Sequence, residues 1–157
     1  MEASAWNRRA LSENSAEWLR EFVGKSRTVI IPTGSDLILV DSSGWIEYLG
    51  EGPKAATYAP FLEREESVLL PTIVVHEVYK KLRKVNGESV ADRFLSYAFR
   101  SRLVDLDVHL ALAAATFALE TRLAMADSII YATAHSFQAK LITSDAHFQG
   151  MQGVTLV

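Results

Sequence analysis

Cysteine is absent from this chain of 157 residues, and proline and glycine are sparse, with four and eight residues. The lack of cysteine excludes a disulfide framework, thiolate metal sites and a thiol nucleophile. The apolar runs are short, and the longest, residues 110–119, falls well below the roughly 20 residues that a membrane span needs. The N-terminus has no apolar segment of the kind found in secretory signals. These absences together predict a cytoplasmic protein.

An excess of positive charge is also lacking. The 16 Lys and Arg residues face 19 Asp and Glu residues, which gives a net charge of −3. No overall positive field would therefore attract a nucleic acid. A polyanionic partner would have to be held by a local basic patch or by metal ions.

The composition is that of a globular protein, because 49% of the residues are hydrophobic and 22% are charged. The length is typical of one domain. Residues 1–36 nevertheless differ from the rest, with a helical pattern over 15–24, a possible short strand over 28–32 and a turn-forming stretch before residue 37. We expect an N-terminal appendage over 1–36 and a domain over 37–157.

From residue 37 onwards, short apolar runs alternate with helical patterns. Strands that are separated by helices form parallel sheets with helices on both faces. The expected fold is therefore an α/β three-layer sandwich around a parallel sheet of about five strands. The predicted strands are 37–40, 68–70, 102–104, 140–143 and 153–157, and the predicted helices are 45–49, 54–66, 73–85, 88–99, 107–122 and 126–139.

Two acidic residues follow predicted strands at their carboxyl ends. Asp41 comes directly after the first strand, and Asp145 comes two residues after the fourth. The carboxyl ends of parallel strands meet at one edge of the sheet, where ligands of such folds bind. We therefore expect these two carboxylates to be neighbours.

Two further acids, Glu77 and Asp127, lie within apolar helical stretches that begin near the same edge. A carboxylate among apolar neighbours is costly to bury without a cation or several hydrogen-bond donors. Four acids without a thiolate or a basic partner at matching spacing favour a hard divalent ion, Mg²⁺ or Mn²⁺.

Each acid taken alone also has a structural interpretation. Asp41 and Asp145 have the positions of turn or N-cap residues, and Asp127 has that of the N-cap of its helix. Glu77 has Lys81 four residues later, the spacing of a surface ion pair. The placement of all four acids at one edge of one sheet favours a site.

Four motifs occur in order along residues 41–148. They are Asp41-Ser-Ser-Gly-Trp-Ile-Glu-Tyr-Leu49, Pro71-Thr-Ile-Val-Val-His-Glu-Val78, Ala126-Asp-Ser-Ile-Ile-Tyr-Ala-Thr-Ala134 and Leu141-Ile-Thr-Ser-Asp-Ala-His-Phe148. Together they resemble the motifs of PIN-domain proteins, especially the VapC-type toxins of toxin–antitoxin pairs. The resemblance covers about residues 37–157. It departs from the family at His147, where an acid is often found, and in residues 1–36, which have no counterpart.

The resemblance implies a PIN-like fold and an endoribonuclease that cleaves RNA with the help of Mg²⁺ or Mn²⁺. It implies a homodimer with a cognate antitoxin, and tRNA, rRNA or mRNA as the substrate. A housekeeping RNA-processing nuclease and a catalytically idle binding module are the alternatives. The implied catalytic and metal-binding residues are Asp41, Glu77, Asp127 and Asp145, with Ser43 and Thr143 in supporting roles.

A basic cluster follows Glu77 on the same predicted helix and consists of Lys80, Lys81, Arg83 and Lys84. Lysine and arginine next to a metal site are suited to hold an RNA backbone. The same run is equally typical of a solvated helix face, so both interpretations stay open.

Overall fold

The structure, a computed structural model, describes residues 36–157. The predicted appendage lies outside the described residues except for Asp36, so its helix and strand stay predictions. In the described part the strands are β1 (Ile38–Val40), β2 (Val68–Pro71), β3 (Arg102–Val104), β4 (Lys140–Thr143) and β5 (Val154–Leu156). The helices are α1 (Ser42–Leu49), α2 (Ala55–Leu62), α3 (Thr72–Val85), α4 (Glu88–Ala98), α5 (Val108–Thr121) and α6 (Met125–Ser136), with short 3₁₀ helices at Glu65–Ser67 and Ala146–Phe148.

The strands form one parallel sheet in the order β3-β2-β1-β4-β5. The chain builds the sheet outwards from β1 to β3 and then returns to place β4 on the other side of β1. The strand order therefore reverses between β1 and β4, which is where parallel α/β sheets bind their ligands. The predicted fold class is confirmed.

The three central strands are buried on both faces. Leu39, Leu69 and Leu141 are fully buried, as are most of their strand neighbours. Burial on both faces explains why these strands have continuous apolar sequences rather than alternating ones. The helices α1 to α5 bury one stripe each; in α3, for example, that stripe is Val74, Val78 and Leu82.

The helix α6 is the most deeply enclosed of the described helices, since residues 128–134 are all buried. Ile130 and Ala134 belong to the main core, whereas Ile129 and Ala132 pack against Ala114 of α5. The same helix also contacts α3. These contacts bring the amino-terminal end of α6 close to the early turns of α3.

Three predicted helix bounds differ from the structure by three residues or more. The helix α1 begins at Ser42 instead of residue 45, because the Asp41 side chain caps it. The helix α2 ends at Leu62 instead of residue 66, and Pro60 within it cannot donate a helix hydrogen bond. The helix α6 ends at Ser136 instead of residue 139, because a turn that contains Gln138 with φ of 55° leads into β4.

Among residues 36–157, no single helix is long and apolar enough to cross a membrane. The helices α5 and α6 meet that length and composition only when taken together, and the pair is bent by 114°.

Candidate metal site at the carboxyl edge of the sheet

Asp41 lies at the point where the strand order reverses. Val40 pairs with Ile142 across β1 and β4, and the Asp41 backbone N–H donates to the Ile142 carbonyl at 3.2 Å. This register places Asp41 beside Thr143 at the carboxyl ends of the two strands. The Asp41 residue is only 5% exposed, so its carboxylate must find its partners within the protein.

Both carboxylate oxygens of Asp41 accept hydrogen bonds. Oδ1 accepts from the Gly44 backbone N–H at 3.0 Å and from the Ser43 hydroxyl at 2.8 Å. Oδ2 accepts from the Thr143 hydroxyl. Asp41 thus caps α1, as its structural interpretation predicts, and at the same time is fixed in orientation by the two hydroxyl residues that the sequence analysis selected.

Thr143 joins two of the predicted acids. Its hydroxyl donates to Asp41 and accepts from the backbone N–H of Asp145 at 2.9 Å. The Thr143 side chain is fully buried. A single hydroxyl therefore holds the turn that carries Asp145 in register with Asp41.

Asp145 begins the 3₁₀ helix Ala146–Phe148 and contacts His147 twice. Its Oδ1 accepts from the His147 backbone N–H at 2.9 Å and lies 2.8 Å from Nδ1 of the His147 ring. These interactions, chiefly the backbone hydrogen bond, lower the pKa of the Asp145 carboxyl despite its partial burial. Asp145 is therefore a carboxylate at neutral pH.

Asp127 is the third residue of α6 and is half-buried. The structural interpretation of Asp127 as the N-cap is wrong, since Ala124 occupies that position. Burial raises the pKa of Asp127, and the negative charges of Asp145 and Glu77 raise it further. Asp41 contributes in the same direction, and His147 opposes it.

Glu77 lies in α3, is half-buried and adds to the same negative field. Within the described residues it forms no ion pair with Lys81, so the surface-pair interpretation does not describe it. The other three predicted acids therefore all lie close enough to influence the carboxyl group of Asp127.

Three side chains in this region form a group that could hold a metal ion. One ligand atom each from Asp127, Asp145 and His147 lie within 4.8 Å of one another. Ligand atoms on opposite sides of a Mg²⁺ ion are about 4.2 Å apart, so a small contraction would close the group around an ion. Two carboxylates with an uncompensated negative field fit a divalent cation. Asp41 and Glu77 are near this group but outside it.

Tyr58 is a residue of this region that the sequence analysis missed. It is fully buried, and its hydroxyl lies beside Ser43 and Ser144 without a well-formed hydrogen bond to either. Its ring fills the space that the absent side chain of Gly44 leaves, since a Cβ there would be 2.6 Å from Tyr58 Cε1. The glycine in the first turn of α1 was the signal that a large side chain packs against it.

The basic cluster is exposed along α3, as either of its interpretations requires. Lys80, Lys81 and Lys84 follow Glu77 at intervals of three, four and seven residues, so they share its side of the helix. Arg83 instead pairs with Glu88 at 2.9 Å and lies over the ring of Tyr79. The lysines are therefore the members of the cluster that are available to a polyanion.

Comparisons with known proteins agree with this architecture. The family model described as PIN domain matches residues 38–154. No curated protein sequence matches the chain. Solved structures with the same fold also match, among them the following three. The first, a toxin-antitoxin complex from Klebsiella pneumoniae, has 22% identity and a TM-score of 0.64, and the match covers 75% of this chain and 95% of that one.

The other two structures are more distant in sequence. VapBC2 from Rickettsia felis, bound to a DNA fragment from its promoter, has 13% identity and a TM-score of 0.61, covering 77% of this chain and 97% of that one. DNA-bound VapBC from Salmonella typhimurium has 14% identity and a TM-score of 0.61, covering 77% and 96%.

Proposed function

The chain belongs to the PIN domain family, and on that premise we propose that it is a metal-dependent endoribonuclease of the VapC toxin type. The observation that carries the proposal is the convergence of acidic side chains where the strand order reverses. A carboxylate oxygen of Asp127 lies within 4.8 Å of a carboxylate oxygen of Asp145, and Asp41 and Glu77 add to the negative field around them. A site with this charge binds a phosphodiester only when cations neutralise it.

The roles of the side chains follow from their contacts. Asp127 and Asp145 would hold a divalent ion, Mg²⁺ or Mn²⁺, which supplies a water of lowered pKa and positive charge for the leaving oxygen. Glu77 contributes negative charge from α3. Asp41 is held in one orientation by Ser43, Gly44 and Thr143, which leaves little freedom for its carboxylate to move during the reaction.

The partner and the substrate are part of the proposal. Three structures with this fold contain toxin–antitoxin proteins, which supports a cognate antitoxin that inhibits this chain. We expect the chain to form a homodimer and to act on tRNA, rRNA or mRNA. The lysines of α3, on the side of the helix that carries Glu77, provide the positive charge that an RNA backbone requires.

Cleavage of a mixed tRNA and rRNA pool tests the nuclease directly. The full chain is incubated with the pool in Mg²⁺, in Mn²⁺ or in EDTA, and the fragments are separated on a denaturing gel. We expect discrete fragments with a divalent ion and none with EDTA. Asp41→Asn should abolish them, whereas Asp92→Asn, which changes an exposed acid in α4, should leave them unchanged.

Three outcomes contradict the proposed metal-dependent nuclease. Fragments that persist in EDTA would show cleavage without a metal ion, and fragments that persist in Asp41→Asn would show that the acidic site is not the source. An intact RNA pool under every condition, with the chain folded and monodisperse, would favour a catalytically idle binding module.

The toxin role has a separate test in living cells. Induced expression of the chain should arrest bacterial growth, and expression of Asp41→Asn at an equal level should not. Growth that continues during expression of an active nuclease would favour a housekeeping RNA-processing enzyme.

A further inference from the structure

His147 adds a nitrogen donor to the carboxylates of the candidate site. Its Nδ1 lies 2.8 Å from Oδ1 of Asp145, which is the spacing of two neighbouring ligands on one ion with bonds of about 2.1 Å. A ring nitrogen of His147 also lies within 4.8 Å of the ligand atoms of both Asp127 and Asp145. The imidazole is therefore a member of the group that surrounds the candidate ion position.

The surroundings of His147 give the ring no packing role. Its side chain is 78% exposed, whereas that of Asp145 is 35% exposed. His147 donates two hydrogen bonds to Asp145, one from its backbone N–H and one from its ring. An exposed imidazole that is held against an acidic cluster is placed to reach an ion that enters from solvent.

The chemistry of the donors decides which ion such a group selects. Carboxylates and water suit Mg²⁺ and Mn²⁺ alike, so a cage of oxygens discriminates poorly between them. Imidazole is a ligand of first-row transition ions, whereas Mg²⁺ keeps oxygen ligands and binds nitrogen poorly.

We propose that His147 is a ligand of the metal site and makes the site select a first-row transition ion over Mg²⁺. This inference rests on the proposed function, because it concerns the ion of the proposed nuclease. It deepens that proposal by assigning the selectivity to one side chain.

The contact between His147 and Asp145 has a competing explanation that makes the opposite prediction. If His147 only donates a hydrogen bond to Asp145, it occupies a carboxylate oxygen that an ion would use. Replacement of His147 would then strengthen the binding of Mn²⁺ and Mg²⁺ to the same extent.

The experiment measures Mn²⁺ binding to the full chain by electron paramagnetic resonance, with Mg²⁺ as the competitor. Pulsed measurements on the bound Mn²⁺ detect coupling to a directly bound ¹⁴N nucleus. The variant His147→Asp keeps a ligand but replaces nitrogen by oxygen. The matched control is His135→Gln, which alters another exposed histidine, in the last turn of α6.

We expect ¹⁴N coupling in the unchanged chain and in His135→Gln, and none in His147→Asp. The preference for Mn²⁺ over Mg²⁺ should fall at least about tenfold in His147→Asp. His147→Ala should weaken Mn²⁺ binding, and since the side chain is exposed the variant should fold normally.

The outcomes separate this inference from the proposed function. Bound Mn²⁺ without ¹⁴N coupling in the unchanged chain, or an unaltered ion preference in His147→Asp, overturns the inference while metal-dependent RNA cleavage stands. Nitrogen-coupled Mn²⁺ in a chain that cleaves no RNA supports the inference and contradicts the nuclease. The absence of Mn²⁺ binding at millimolar concentration contradicts both.

Discussion

At the scale of single residues, the hydroxyl of Thr143 has two hydrogen-bond partners on opposite sides. It donates to Asp41 and accepts from the backbone N–H of Asp145, and it is fully buried between them. Valine has nearly the same shape but neither capacity. Loss of this hydroxyl would leave a buried carboxylate oxygen and a partly buried N–H without this partner, which is more costly than the loss of an exposed hydrogen bond.

We therefore expect Thr143→Val to lower the free energy of unfolding by about 1–3 kcal/mol. Cleavage should fall on the order of tenfold or more, because Asp41 and Asp145 lose their common support. Urea denaturation and the RNA assay measure the two effects. Thr143→Ser keeps the hydroxyl and serves as the control; an equal loss in the serine variant would contradict this role of the hydroxyl.

Asp127 makes the stability of the folded chain depend on pH. Its pKa is raised in the folded protein, chiefly by burial and then by the charges of Asp145 and Glu77. When the pKa of a carboxyl is higher in the folded state than in the unfolded state, its ionisation destabilises the folded state. The free energy of unfolding therefore decreases as the pH rises through the folded pKa.

We expect Asp127→Asn, in EDTA, to raise the unfolding free energy slightly at pH 7, by about 0.5 kcal/mol. The gain should vanish at a pH below the ordinary aspartate range, where Asp127 is protonated in both states. Addition of Mn²⁺ should reverse the order, since it raises the melting temperature of the unchanged chain more than that of the variant. Asp92→Asn should behave as the unchanged chain at every pH.

At the scale of elements, the first turn of α1 fits tightly against β1 and α2. Gly44 is buried, and a Cβ at its position would meet the side chains of Val40 and Tyr58. Both neighbours are fully buried and have no free space to move into. The close approach of α1 is what brings the Gly44 N–H and the Ser43 hydroxyl to Asp41.

Gly44→Ala should accordingly destabilise the chain by about 1–3 kcal/mol through overpacking. It should also reduce cleavage, because α1 must shift away from Asp41. Ser42→Ala in the same turn, at a half-exposed residue, is the control for denaturation and activity. A Gly44→Ala chain that is as stable as the unchanged one would show that α1 can move without cost.

The elements were predictable where a single physical cause dominates. The central strands are buried on both faces, and their apolar runs identified them. Asp107, which accepts a hydrogen bond from the Leu110 N–H, starts α5 as its sequence position predicts. The end of α2 was not predictable from periodicity, since residues 63–66 continue a pattern that the turn into β2 interrupts.

The site was predictable in location but not in detail. Parallel strands bring Asp41 and Asp145 to one edge, which required no contact information. The ligand distances depend on how α6 sits between the sheet and α5, and this packing selects Asp127, Asp145 and His147 as the closest set. The hydroxyl of Tyr58 reaches the region from α2, a position that no local pattern indicates.

At the scale of the whole molecule, the charge is distributed unevenly against a net of −3. The acids converge on one edge of the sheet, while Lys80, Lys81 and Lys84 line the side of α3 that carries Glu77. An RNA backbone on this surface would be bound by lysines and positioned by ions, and the lysine contribution would depend on salt.

We expect Lys81→Ala and Lys84→Ala each to raise the KM for RNA several-fold with little change in kcat. Each should reduce the slope of log K against log salt by about one, as the loss of one phosphate contact does. The control is Lys140→Ala, because Lys140 lies at the start of β4, at the end of the strand away from Thr143 and the acidic residues. Equal effects in all three variants would mean that the lysines act through overall charge alone.

The position of β4 in the sheet also has a consequence for protein synthesis. Asp41 and Thr143 are hydrogen-bonded although they lie 102 residues apart in the chain. A nascent chain that ends before β4 lacks β4 and β5 of the sheet, and it also lacks Asp145 and His147. The acidic site is therefore completed only after residue 147 has left the ribosome, and under the proposed function a nascent chain that ends before β4 cannot cleave the RNA of the ribosome that is making it.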